Sequence, residues 1–452
     1  QPFMYLVTKT NINPKHELYD YCVAMTALSK NIYNAALFRV RNIFTGFNKD
    51  SLSDLEQEVF DEVELTENTY NCQIRRVISY NSLEKLMRAN NNPDFFAGLP
   101  MQSSQAMVRK ATTDFKNWLA SLKHFKADPT SFLGKPRMPH YIKSDKTTAY
   151  ITNQDAVYKN AELKLPLIKK RLHLPNVPEN ATLKEVKIKP YYNEFIILCT
   201  FETPDVPINT KHTHVASIDF GIDNIVALIT DEGKSFLYKG GAIKSCNQFY
   251  NKRSSELRSI ITKGHKNANA KSKQLSVLSR NRDQFINDQM HKISKNVIDI
   301  CLANNVGTIV LGINKGMKQH SNMGRSNNQA FVSLPISRLA FMITYKAQRA
   351  GIIVIEQEES YTSKADFLSN DLIPVYGKEK GEVSFSGSRI KRGLYKSATG
   401  NIINADINGA ANIMRKAGFT INNKISDMAN PVIMGFKELN NKSIPAKGIV
   451  AV

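Results

Sequence analysis

His214–Thr230, HVASIDFGIDNIVALIT, reads as two short strands of apolar and β-branched residues joined by a tight glycine-containing turn. Asp219 stands in the first strand beside Val215, Ala216, Ile218 and Phe220. A carboxylate there is costly to bury without a cationic partner, so it is either an ion-paired strand end or a ligand for a cation. Asp223 lies in the turn, where its side chain can shape the hairpin.

Working outward from this hairpin, Lys234–Lys239 supplies a third strand, and helices follow over Asn247–Ile261 and Ala270–Asn304. A strand (Thr308–Leu311), a helix (Leu334–Ala350), a strand (Gly351–Gln357) and a helix (Asp406–Lys416) complete the pattern. Three antiparallel strands followed by alternating helices and strands is the order of an RNase H-like α/β fold.

Two more acidic stretches fall on this pattern. Gly351–Lys364, GIIVIEQEESYTSK, runs a β-branched strand into Glu356, Glu358 and Glu359. Three acids within four positions repel one another unless exposed or neutralised by metal ions. Asn404–Lys416, NADINGAANIMRK, opens a helix with Asp406, where an acid also serves as an ordinary cap. Asn408 and Asn412, four apart among Ala and Gly, share one face that can approach a sheet closely. One of the glutamates with Asp219 and Asp406 would give the hard oxygen ligands that two Mg²⁺ ions need. Such ions, roughly 4 Å apart, drive in-line phosphodiester hydrolysis.

Towards the N-terminus, Phe3–Thr10 reads as a strand and 17–126 as largely helical, with a break at Asn90–Pro93. Arg109, Lys116, Lys123 and Lys126 share one face of the helix over Ala106–Phe125. Phe132–Lys143, FLGKPRMPHYIK, ends the helical region. Short runs at Thr148–Thr152, Leu163–Leu167, Arg171–Leu174, Glu185–Pro190 and Glu194–Phe201 then suggest a small antiparallel barrel or sandwich, which the first strand can join. Thr203–His212 is the clearest linker.

The chain has 452 residues, enough for about three domains. Its 42% apolar content excludes wholesale disorder, and no apolar run approaches a membrane span. The opening, QPFMYLVTKT, has neither the basic stretch nor the apolar run of a secretory leader. Five scattered cysteines make neither a disulfide framework nor a metal knuckle, so a reduced, cytoplasmic protein is expected. Lys and Arg number 61 against 40 Asp and Glu, and a charge of +21 calls for a polyanionic partner, nucleic acid first. Eleven Lys or Arg between Lys252 and Lys295, and Arg389, Lys391, Arg392 and Lys396 between 386 and 396, flank the acidic stretches as a phosphate-backbone channel would. Phe385 and Tyr395 can stack on bases or pack internally.

At these residues the chain resembles the TnpB nucleases of insertion sequences, relatives of compact type V CRISPR effectors and of Fanzor proteins. The matching text is SIDFGIDNIVALIT, IVLGINKGMKQ, ESYTSK and NADINGAANIMRK, with SKNIYNAALF and GKPRMPHY upstream. The resemblance implies a multidomain α+β protein in which a RuvC/RNase H-like α/β nuclease domain is preceded by a wedge (OB-like) β-barrel carrying a helical recognition insertion. The expected boundaries are 1–16 for the first wedge strand, 17–128 for the helical recognition domain, 129–208 for the rest of the wedge, 209–418 for the RuvC-like domain and 419–452 for a tail of no assigned role. The implied activity is Mg²⁺-dependent, RNA-guided DNA cleavage by a monomer. A transposon-end or CRISPR guide RNA would pair with target DNA, and the protein would read a short flanking motif.

Two departures from the family pattern matter. The second acid usually follows the IVLG strand, where this chain has Gly312. A branch of the family carries the glutamate shortly before Thr-Ser-Lys, which here designates Glu359 ahead of Glu358. The expected catalytic and metal-binding triad is therefore Asp219, Glu359 and Asp406. Residues 365–405, where a zinc ribbon usually lies, contain neither Cys nor His, so a metal-free lid is expected there. Arg389, Lys391, Arg392 and Lys364 are the expected nucleic-acid contacts. A catalytically inactive RNA-guided repressor and an RNA-independent transposase or resolvase are the competing readings.

Overall fold

The structure, a computed structural model, describes residues 3–263, 272–313, 335–375, 383–422 and 425–440. Lys266, Lys271 and the stretch 314–319 of the family motif lie outside the described residues, as does the end of the tail. The chain divides into two compact units, Gln1–Asp205 and Val206–Val452. All five cysteines are free. Among the described residues no helix is long and apolar enough to cross a membrane.

In the first unit a strand, β1 (Phe3–Ile12), leads into four helices: α1 (Tyr19–Gly46), α2 (Asp54–Tyr70), α3 (Tyr80–Ala89) and α4 (Met101–Ala127). Local chemistry sets their ends. Ser53 and Glu56 form a capping box at α2, Ser79 caps α3, and Asn91, in the left-handed region at φ 45°, turns the chain after α3. Met25, Ile32 and Ala36 of α1 pack in one core with Met107, Ala111 and Phe115 of α4. The basic residues Arg109, Lys116, Lys123 and Lys126 are exposed on the opposite side of α4. Six strands follow: β2 (Ala149–Thr152), β3 (Val157–Lys159), β4 (Glu162–Lys164), β5 (Arg171–His173), β6 (Thr182–Tyr191) and β7 (Glu194–Pro204). They form an antiparallel sheet ordered β1-β7-β6-β2 and a separate one ordered β3-β4-β5. The first strand does join the later ones, pairing from Phe3 with Pro204 to Ile12 with Phe195, so the helices are an insertion. The strands fall into two ladders rather than one closed barrel, because β3, β4 and β5 are only three residues long and pair among themselves.

The second unit is built on β8 (His214–Asp219), β9 (Asn224–Thr230) and β10 (Ser235–Lys239). Then come α5 (Gly241–Ile261), α6 (Lys273–Ala303), β11 (Val306–Ile313), α7 (Ile336–Arg349) and β12 (Ile353–Glu358). A hairpin and third strand, β13 (Ser388–Lys391), β14 (Leu394–Lys396) and β15 (Ile402–Asn404), run into α8 (Ala405–Lys416). The described tail adds α9 (Ile425–Ala429), β16 (Val432–Met434) and α10 (Phe436–Asn440). The main sheet is ordered β12-β11-β8-β9-β10-β16. Its strands β8, β11 and β12 run parallel, whereas β8, β9 and β10 form an antiparallel meander.

Strand parity assigns each side chain to one face. Ala216, Ile218, Ile309 and Leu311 enter the core with α6 and α7, whereas Val215, Ala227, Ile229 and Val310 enter the core with α8. Asp219 therefore belongs to the α8 face, as does Ser217, whose hydroxyl donates to the Ala410 carbonyl at 2.7 Å. The tail, unassigned in the sequence reading, has a structural role. Its β16 pairs in parallel with β10 and covers the edge that β10 would otherwise present.

Candidate active site

Parallel strands bring their C-terminal ends to one edge of a sheet, where open α/β sheets place their ligands. Asp219 ends β8, Glu359 follows directly on β12, and Asp406 is the second residue of α8, whose N-cap Asn404 accepts from the Asp406 and Ile407 amides. All three line a single cleft of about 790 Å³, together with Asp223, Asn224, Lys239, Arg389 and Arg392. The sequence separates the three acids by 140 and 47 positions; the fold brings them into one cleft.

Two glycines explain how closely the elements approach. A Cβ on Gly409 would lie 2.6 Å from an Asp219 carboxylate oxygen, so only glycine lets α8 pass over that carboxylate. A Cβ on Gly312 would meet the Ile413 side chain at 2.4 Å and Glu359 Oε2 at 3.1 Å. Gly312 has the parity of Val310 and points to the α8 face. The Glu359 carboxylate, arriving from the neighbouring strand, thus occupies the space above the position at which the resemblance expects an acid.

The glutamates are sorted by their partners. Glu358 accepts from Lys416 Nζ at 2.6 Å and from the Ser360 amide at 2.6 Å. Burial works to raise its carboxyl, but Lys416 and Ser360 outweigh it and hold it below the ordinary glutamate range. Glu356 is exposed. Glu359 Oε2 is buried and, among the described residues, has no hydrogen-bond partner. Burial, with the Glu358 charge behind it, pushes the Glu359 carboxyl up to about 7. Asp219 is raised well above the usual carboxylate range, first by burial and then by the charges of Glu359 and Asp406, with Arg389 opposing.

The turn that carries Glu359 is fixed from α8. Asn408 accepts from the Phe367 amide and donates to the Ala365 carbonyl, and Asn412 donates to the Thr362 and Ala365 carbonyls, at 2.7–3.1 Å. Both asparagines are fully buried. Tyr361, two residues beyond Glu359, sits at φ 66°, a strained conformation for a bulky residue and one that such packing must hold.

Cations from the β13–β14 hairpin reach into the cleft. Arg389 Nη2 lies 3.2 Å from Asp406 Oδ1, and Arg392 pairs with Asp223. Asp223 also pairs with Lys244. Burial raises its carboxyl, and Lys244 and Arg392 overcome that to leave it low. Asp223 is therefore a charged member of the cleft as well as a turn residue. Lys391 and Lys364 are exposed and lie outside the residues that line the cleft. Tyr395 is 1% exposed and donates to the Lys364 carbonyl, so it packs and offers no stacking face. Within the longer basic run, Arg253, Arg282, Lys292 and Lys295 pair with acids on their own helices.

The three carboxylates share the cleft, yet among the described residues no three His, Cys, Asp or Glu side chains converge closely enough to hold a metal ion. Like charges repel, and Arg389 holds one oxygen of Asp406. The donor set nevertheless fits a hard divalent cation. It is all carboxylate oxygen, includes a buried oxygen with no partner among the described residues, and contains two acids whose charged forms need a neutralising partner.

The second unit is thus a mixed α/β domain with an acidic cleft at the C-terminal ends of its parallel strands. Residues 198–318 match the OrfB_IS605 family, described as probable transposase, and residues 337–413 match the Cas12f1-like TNB domain. A TnpB-like protein, ORF457 of Acidianus two-tailed virus, is 25% identical over 245 residues. That match takes in 53% of this chain and 48% of the viral protein, so the chain spans about half the length of the curated relative it matches. These matches are a likeness to TnpB-type and Cas12f1-type proteins, and the family matches fall mainly in the second unit. A Cas12f1–sgRNA–target DNA complex is similar at TM-score 0.47 and 14% identity over 88% of this chain and 82% of that one. The mini-RNA-guided endonuclease CRISPR-Cas_phi3 is similar at TM-score 0.40 and 11% identity over 92% of each.

Proposed function

We propose that the chain is an RNA-guided DNA endonuclease whose second unit is a RuvC-like nuclease domain with Asp219, Glu359 and Asp406 as its catalytic carboxylates. The observation that carries the proposal is the convergence of these three acids, from β8, the end of β12 and the start of α8, in one cleft. The main-sheet order supports the RuvC-like reading, and the helices inserted between β1 and β2 support a recognition domain set in a wedge. The three carboxylates would hold divalent cations, Mg²⁺ in the cell. When bound, such ions activate water and stabilise the leaving oxygen of a phosphodiester. Arg389 and Arg392, on a hairpin at the rim, would exchange their carboxylate partners for backbone phosphates as nucleic acid enters. Lys391 and Lys364, farther out, would add only long-range attraction. Guide RNA and target DNA are the partners, and the net charge of +21 suits both. The repressor reading rested on Gly312; the carboxylate of Glu359 beside that glycine argues against it.

The test is cleavage of a plasmid library with randomised flanks by protein produced together with its locus RNA. Mg²⁺-dependent, RNase-sensitive cutting beside one enriched flank is expected. Guide-dependent binding without any cut would favour the repressor, and cutting that survives RNase would favour an RNA-independent enzyme.

A further inference from the structure

Asn224 interrupts the alternation of its strand. Ala227 and Ile229 face the α8 core, while Val226 and Leu228 face the α6/α7 core. Strict alternation would send Ile225 to the α8 side and Asn224 away from it. Instead Ile225 joins Val226 in the α6/α7 core. The β9–β10 ladder shifts register at this point, so that after Tyr238 opposite Val226, Lys239 stands opposite Asn224. A bulge of this kind re-aims a side chain. Here it turns Asn224 into the acidic cleft, where the residue is only 7% exposed.

Once there, the amide bridges a cation and an acid. Lys239 Nζ donates to Asn224 Oδ1 at 2.9 Å, and Asn224 Nδ2 donates to Asp406 Oδ2 at 2.6 Å. An ammonium can only donate and a carboxylate can only accept, so these two partners admit one orientation of the amide. Asp406 is the acid that most needs such help. It stands in the first turn of α8 with its side chain 28% exposed, and its other oxygen is met by a half-exposed guanidinium. A neutral donor can fix the carboxylate rotamer without cancelling the negative charge that a cation requires.

We infer that Asn224 is a positioning residue for Asp406, oriented by Lys239, and that the bulge in β9 exists to deliver it. This inference rests on the nuclease reading above and adds a residue to it. Outer contacts of this type are worth about 10–100-fold in metal affinity or activity.

The test compares wild type, N224A, N224D, K239M and the N224A/K239M double variant, each loaded with guide RNA. Three readouts are taken: single-turnover cleavage across a Mg²⁺ titration, target binding, and the rise in melting temperature on adding Mg²⁺ without DNA. N224A is expected to cut about 10–100-fold more slowly, to need more Mg²⁺, and to lose part of the Mg²⁺-induced rise. Its target binding and its melting temperature in EDTA should match wild type. N224D, which sets a second carboxylate against Asp406, should be the most severe. K239M should be milder, and the double variant no worse than N224A, because Lys239 acts through the amide. Unchanged Mg²⁺ dependence in N224A, additive effects of N224A and K239M, or a loss confined to melting temperature in EDTA would each overturn the inference. A wild type that never cuts would instead remove the nuclease reading. The Mg²⁺-induced rise would then still decide whether Asn224 supports a cation site: an equal rise, or none, in wild type and N224A counts against it.

Discussion

At the scale of single residues, the cleft depends on which of two adjacent glutamates keeps a partner. Lys416 and the Ser360 amide hold Glu358 in its charged form, whereas Glu359 is buried with an oxygen that has no partner among the described residues. The sign of the resulting pH dependence is fixed. The Glu359 carboxyl, raised from 4.5 to about 7, binds a proton more tightly in the folded chain than in the unfolded one. Its contribution to stability is therefore complete below about pH 4.5 and is lost as pH rises through about 7. Asp219 acts in the same direction. In EDTA, E359Q should gain stability relative to wild type as pH goes from 5 to 7.5, measured as the difference in urea midpoints. A difference that does not change with pH would mean that Glu359 is not buried as described. The sequence marked the acids at 219, 358, 359 and 406. It could not separate 358 from 359, because that choice is made by Lys416, 58 positions away.

At the scale of elements, long periodic segments were legible and short ones were not. The strand–turn–strand at 214–230 and the helices after it follow apolar periodicity; α6 and α7 fall within three residues of the observed bounds, while α5 begins at Gly241, six residues before the start read from the sequence. The strands β13 to β15 are not legible in the sequence, because each has three or four residues and β13 is exposed along its whole length, leaving no alternation to read. What holds this segment together is also absent from any periodicity. The fully buried Asp366 accepts from Ser397 Oγ, the Ala398 amide and Ser369 Oγ at 2.7–2.8 Å. Asp371 accepts from Ser386 Oγ and the Asp366 amide. These bonds tie three stretches that are distant in sequence, a task for which a metal is one alternative. Burial raises the Asp366 carboxyl, and the donors around it more than compensate. D366N leaves buried donors facing an amide, at a cost of about 1–3 kcal/mol each. Limited proteolysis of D366N should open a new site within 383–404 while the rest of the second unit stays resistant. Digestion identical to wild type would show that the carboxylate is not what closes the hairpin.

At the scale of the molecule, charge and site act together. Some of the 61 Lys and Arg pair locally with acids, as Arg253, Arg282, Lys292 and Lys295 do on their helices, and the net +21 is what remains after every acid is counted. Arg389 and Arg392 are the cations that meet the cleft acids from the hairpin. If both grip phosphates, target affinity in the R389A/R392A variant should depend less steeply on salt, by about one unit of log–log slope per lost contact. An unchanged slope would place the phosphate track elsewhere. The two-ladder arrangement of the first unit and the edge-covering β16 lay beyond sequence reading, since both depend on which strands meet rather than on what each strand is.

The central claim, that the second unit cuts with Asp219, Asp406 and a glutamate relocated to position 359 beside Gly312, is tested most directly by single-turnover cleavage of one guide-matched target with E359Q and E358Q side by side. The account predicts that E359Q falls at least about 1,000-fold below wild type while E358Q stays within about tenfold, with guide-dependent binding intact in both. Full cleavage by E359Q, or equal loss in the two variants, would contradict it.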